Sequence, residues 1–169
     1  KYAYRIESTQ PIVAYQFNPY CCNYNYTNDA SLLLPSSALT QNYMYMSYPV
    51  WDSPARQEGD SPESATISVL ATKPETEVTV QLRQPRQSDR SYEDIIYPVK
   101  SDRVRGPDKQ GRVTVEMGRH EVLNIAGDGV GSDLTGARIS ADKPVAAFGA
   151  HSCTFVPFTK WACDHLESQ

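Results

Sequence analysis

The chain has 169 residues, enough for one domain with a real core and a tight fit for two. Hydrophobic residues make up 40% and charged residues 21%, which excludes a disordered chain. A formal net charge of −4 gives no overall field favouring nucleic acid or anionic lipid, and no run of about 18 apolar residues offers a membrane span.

Period-two alternation dominates from the first residues onward. Tyr2, Tyr4 and Ile6 alternate with Ala3 and Arg5. The opening stretch, KYAYRIESTQ, is no signal peptide and reads as the abrupt start of a trimmed piece. In chain order the pattern predicts strands near 2–7, 11–17, 30–34, 42–48, 64–71, 76–83, 94–99, 111–117, 120–126, 135–140 and 144–150. Turn chemistry separates them, as at Lys73-Pro74-Glu75, Met117-Gly118-Arg119 and Gly127-Asp128-Gly129. The polar stretches 51–63 and 84–93 read as long surface loops, because alternation resumes directly on either side. Nothing shows a sustained helical period. The expected fold is therefore all-β, an antiparallel β-sandwich of about ten short strands in a single domain spanning 1–169.

Residues 5–15 (RIESTQPIVAY) and 138–148 (RISADKPVAAF) share Arg, Ile, Pro, a β-branched residue, Ala and an aromatic at identical offsets. Each copy reads as strand, four-residue polar turn closing on Pro, then strand. The prediction is one hairpin used twice.

Eight basic residues between Arg83 and Arg112 are interleaved with five acidic ones, so the local excess is small and a solvated loop surface follows. Gly127–Asp133 lacks the lysine of a phosphate-binding loop and the oxygen spacing of a calcium loop, so it reads as a glycine-rich hairpin turn. No hydrolase elbow or zinc-protease motif occurs, and no catalytic residue, cofactor or metal site is expected.

The densest reactive cluster is His151-Ser152-Cys153 with Cys163-Asp164-His165. Four zinc ligands would have to converge from pairs separated by one residue, which strains the geometry. A Cys153–Cys163 disulfide across TFVPFTKWA is the favoured alternative, contributing about 2–3 kcal/mol in the chain-entropy model. Cys21 and Cys22 are adjacent. A vicinal bridge completes the set if 153 pairs with 163; pairing elsewhere and free thiols stay open. The segment around them holds Tyr20, Asn23, Tyr24, Asn25 and Tyr26, side chains that make adaptable contacts at low entropic cost, and it is the candidate binding loop. Asn25-Tyr26-Thr27 also fits the N-glycosylation pattern.

Several separated stretches occur in a recognisable order: Ile6–Ser8 with Pro11–Pro19, TNDASLLLP at 27–35, DLTGARI at 133–139, KPVAAFGAHSC at 143–153 and CDHLESQ at 163–169. Together they resemble the N-terminal domain family of the IgG Fc-binding protein, in its bacterial-type form. The resemblance implies a secreted or cell-surface module of a larger multidomain protein, acting in binding or adhesion without catalysis. It implies that Cys153 and Cys163 form a structural disulfide, and that this chain is a piece of a longer domain. The expected partner is a protein or glycan, with a self-assembling subunit of a surface layer or filament as the alternative. A metal-dependent hydrolase built on His151 and His165 is the weakest reading.

Overall fold

The computed structural model describes residues 3–18, 29–52, 62–83, 99–100, 107–127, 129–157, 159 and 164–168. These form ten strands and no helix: β1 (Tyr15–Asn18), β2 (Asp29–Leu32), β3 (Thr40–Met44), β4 (Ala65–Ala71), β5 (Thr76–Gln81), β6 (Val99–Lys100), β7 (Arg112–Met117), β8 (Val122–Gly127), β9 (Arg138–Thr154) and β10 (Asp164–Ser168). Every pairing is antiparallel. β1 and β2 form a separate ribbon, and the other eight strands form one sheet.

The 17-residue β9 is the seam of that sheet. Its first half pairs with β5 and β3, and its second half with β4 and β10. Val145 stands opposite both Ala71 and Thr40, so β4 and β3 lie on opposite edges of β9. β5 follows β4 along one edge, and β10 follows β3 along the other. The β4–β5 line is thus one interrupted strand, and β7–β8 runs alongside as a second.

The interruption is a corner. From Ala71↔Val145 to Val78↔Ala141 the β4–β5 line advances from 71 to 78 while β9 moves only from 145 to 141, which leaves three extra residues. Between Leu70↔Val122 and Thr76↔Met117 the same line gains one residue on β7–β8. Extra residues at one level of adjacent strands bend a sheet sharply. Backbone strain collects there as well, since Glu75 (φ 52°) and His120 (φ 63°) are the described non-glycine residues at positive φ. Local bonds hold the bend: His120 N donates to Ala71 O at 2.7 Å, Thr72 Oγ1 to Pro144 O at 2.9 Å, and Glu77 N to Asp142 Oδ1 at 2.9 Å.

The sheet folds over at this corner and buries one face on itself. Ile67, Val69 and Ala71 of β4 join Val78 and Val80 of β5, Leu123 and Ile125 of β8, Val113 and Met117 of β7 and Ile139 of β9 in a single cluster. No helix is present among the described residues, so the two halves cover each other. Burying each aliphatic side chain is worth about 1.5–3 kcal/mol. The two faces of the expected sandwich are therefore halves of one continuous sheet, closer to a barrel than to two separate sheets.

The repeated hairpin is not formed in either copy. Residues 138–148 lie within the unbroken β9, where Pro144 falls at the corner and needs no ladder bond. Residues 5–14 carry no strand. The predicted strand at 2–7 is likewise absent over its described residues, whereas β10 arises from a stretch too polar to announce itself. Gly129–Ser132 form a turn, with Ser132 N donating to Gly129 O at 3.1 Å, but the connection joins β8 to β9 across β4 instead of closing a hairpin. There Val50 N donates to Ser132 O and Gly131 N to Val50 O, both at 2.8 Å.

Two substitutions check this geometry. A Cβ on Gly127 would sit 2.5 Å from Val50 Cγ2, so Gly127→Ala is expected to lower stability by about 1–3 kcal/mol in denaturant unfolding. His120→Gly relieves a left-handed residue and should leave stability unchanged or raise it by up to about 1 kcal/mol, whereas His120→Val should lower it.

Candidate binding surface

The alternation of Tyr15-Gln16-Phe17-Asn18 would ordinarily turn its aromatic residues toward a core. The ribbon does the reverse. Tyr15 stands opposite Leu32 and Phe17 opposite Ala30, so these residues share one face; Gln16 opposite Ser31 belongs to the other. Tyr15, Phe17 and Leu32 are 57%, 62% and 49% exposed, while Ser31 is 7% exposed. Ser31 is covered, while Gln16 beside it and the whole aromatic face meet solvent.

Leu33 N donates to Ala14 O at 2.9 Å, continuing the pairing one step past β1 and β2. Val13 and Leu34, next along that line, are also exposed. The rings of Tyr15 and Phe17 lie 6.5 Å apart at a tilt of 45°, within the range where aromatic pairs attract. A contiguous apolar stripe of this kind is uncommon on a free surface and marks a place where something docks.

The candidate loop residues Tyr20, Asn23, Tyr24, Asn25 and Tyr26, with Cys21 and Cys22, lie outside the described residues. Their flanks do not. Asn18 is paired with Asp29, so the segment 19–28 connects the two strands of the ribbon. The sequence pattern singles out that connection as the candidate loop and places Tyr15, Phe17 and Leu32 only within the expected strands 11–17 and 30–34. The detectable signal was the density of aromatic residues between Tyr15 and Tyr26; the reversal of faces had none.

The His-Cys cluster is taken apart by the geometry. His151 is 1% exposed, and both its ring nitrogens are engaged: Nε2 lies 3.1 Å from Pro49 O, and Nδ1 accepts from Cys153 N at 3.2 Å. No lone pair is left to bind a metal. Burial holds its pKa below the usual imidazole value, against the opposing pull of the Pro49 carbonyl and the Glu63 carboxylate. Cys153 is disulfide-bonded, and Cys163 lies outside the described residues. Among the described residues no group of three His, Cys, Asp or Glu is placed to hold a metal ion, and no helix is long and apolar enough to cross a membrane. A hydrolase centred on His151 and His165 loses its first member.

Residues 29–169 match the family model described as IgGFc binding protein. The chain belongs to the IgGFc-binding protein family. The match begins at the first residue of β2, leaving β1 and the 19–28 segment outside it. No curated protein and no solved structure matches the chain.

Because Tyr15 and Phe17 give nothing to the core, the double substitution Tyr15→Ser/Phe17→Ser should change folding stability by no more than about 0.5 kcal/mol in chemical denaturation.

Proposed function

We propose that this chain is an extracellular, non-catalytic binding and adhesion module of a larger multidomain protein, and that it contacts a protein partner through the aromatic face of the β1–β2 ribbon together with Tyr20, Asn23, Tyr24, Asn25 and Tyr26. The exposed stripe of Tyr15, Phe17 and Leu32 beside a covered Ser31 carries this reading. Family membership supports an extracellular binding role, since the family is described by a binding activity. Amphipathic tyrosines and asparagines next to an apolar anchor form the combination that recognises proteins at low entropic cost.

A disulfide pairing of Cys153 with Cys163, and of Cys21 with Cys22, is part of the same reading. Cys153 is already disulfide-bonded, and the residue after it, Thr154, stands opposite Asp164, the residue after Cys163. Peptide mapping after alkylation without reductant should return a 153–163 link and no modified thiol. Free thiols at all four positions would count against the extracellular assignment.

The binding test uses a panel of purified extracellular proteins, IgG Fc among them, against the wild-type chain and the Tyr15→Ser/Phe17→Ser variant. At least one panel member should bind, with affinity reduced about tenfold or more in the variant, as loss of buried aromatic anchors requires. Equal binding by both would remove the ribbon from the interface. No binding, coupled with concentration-dependent assembly in light scattering that the variant abolishes, would favour a self-assembling surface subunit instead.

A further inference from the structure

The surroundings of His151 allow one protonation state only. Cys153 donates its backbone N–H to Nδ1 at 3.2 Å, so Nδ1 must present a lone pair, and Nε2 then carries the proton it donates to Pro49 O at 3.1 Å. A second proton on Nδ1 would point at an N–H group with no acceptor between them, inside a side chain shielded from water. The neutral ring therefore acts as a strap from β9 to Pro49.

Other contacts tie the described residues beside Pro49. Trp51 and Glu63 exchange backbone bonds of 3.0 and 2.9 Å, which closes the sequence between them at its base. The Trp51 ring packs edge-on against Phe155 at 4.5 Å between centroids. Val50 bonds to Ser132 and Gly131. Pro49 supplies no N–H of its own, so its carbonyl bond to His151 is its fixed point on β9.

We propose that His151 is an acid-sensitive latch, whose neutral imidazole holds Pro49 and the Trp51–Glu63 bridge beside it against β9, and whose protonation in mildly acidic surroundings loosens that tie. Among the described residues, the ionisable groups on the elements around it are few; Arg56, Glu58 and Asp60 lie outside the described residues. Asp52 lies on the strapped segment and Glu63 at its return, while β4, which places Ala65 opposite His151, carries none. β10 places Leu166 opposite His151 and includes Asp164, His165 and Glu167. Cys153, on the same strand, is disulfide-bonded and does not titrate. Glu63 is the one described carboxylate with a resolved pull toward the charged ring, and burial outweighs it.

The sign follows from linkage. The folded pKa lies below the unfolded one, so the opened state binds more protons as pH falls. The latch is fully closed above about pH 6.5 and weakens on acidification toward the folded pKa.

Hydrogen exchange read residue by residue tests this on the native protein. Corrected for intrinsic rates, exchange at Trp51, Glu63 and Cys153 should quicken severalfold from about pH 7.5 to about pH 5.5, in the direction set by a folded pKa below the unfolded one. Amides of Val78 and Val80, beyond the corner, should not follow. His151→Gln keeps a donor and an acceptor without a titrating proton, and should remove the response while His120 and His165 remain. Nitrogen NMR of the wild-type imidazole covers the case in which that variant fails to fold: Nδ1 should be unprotonated at neutral pH. A protonated Nδ1, an unchanged Trp51 and Glu63, or a uniform acceleration at every amide would each overturn the latch.

Discussion

The pairing of β9 with four other strands is the constraint on which the rest of the molecule depends. A strand has two edges, and each half of β9 uses both, so 17 residues fix the positions of β3, β4, β5 and β10. β7 and β8 then take their places on β5 and β4, and β6 on β8. Because the lines beside β9 carry extra residues at the same level, the sheet must bend there. The bend is what allows Ile67 and Val69 to meet Val78 and Val80 in a core that has no helix to cover it.

At the end of the fold where residues 45–50 cross the turn after β8, polar contacts take over from aliphatic packing. Tyr45 sends its hydroxyl to the paired residues Thr66 and Ala150, with 3.1 Å to one carbonyl and 3.3 Å to the other. Thr135 exchanges bonds with the Ser47 backbone at 3.1 and 2.8 Å. His151 adds its two backbone bonds in the same region. Buried polar side chains with every partner in place fix one arrangement more sharply than apolar packing does.

Much of the sheet was legible in the sequence because burial and alternation coincide. Val78 and Val80 are buried between Glu77, Thr79 and Gln81, and Val113 between Arg112 and Thr114, just as period two requires. β9 was illegible for a physical reason: Ser140-Ala141-Asp142-Lys143-Pro144 has genuine turn chemistry, but here Asp142 and Lys143 spend it binding the neighbouring line at Glu77 and Pro74. A single sequence cannot say whether such groups close a hairpin or hold a corner. β10, built from Asp, His, Leu, Glu and Ser, owes its strand to the edge of β9 and not to propensity. The proposed binding surface was half legible. Its tyrosine-rich connection stood out, but the outward turn of Tyr15 and Phe17 depends on which face of the ribbon the body covers.

The place of β9 in the chain bears on how the protein is made. Its partners β3, β4 and β5 precede it, and Thr40 must wait for Val145, so the seam that unites the sheet is synthesised after the strands it joins. Until it arrives, valine-rich strands such as β5 have bare backbone edges and uncovered apolar faces, the features that lead nascent chains into aggregation. Long-range pairings of this kind also slow the search for the native state. Biogenesis of this domain therefore rests on keeping its earlier strands apart until β9 has emerged.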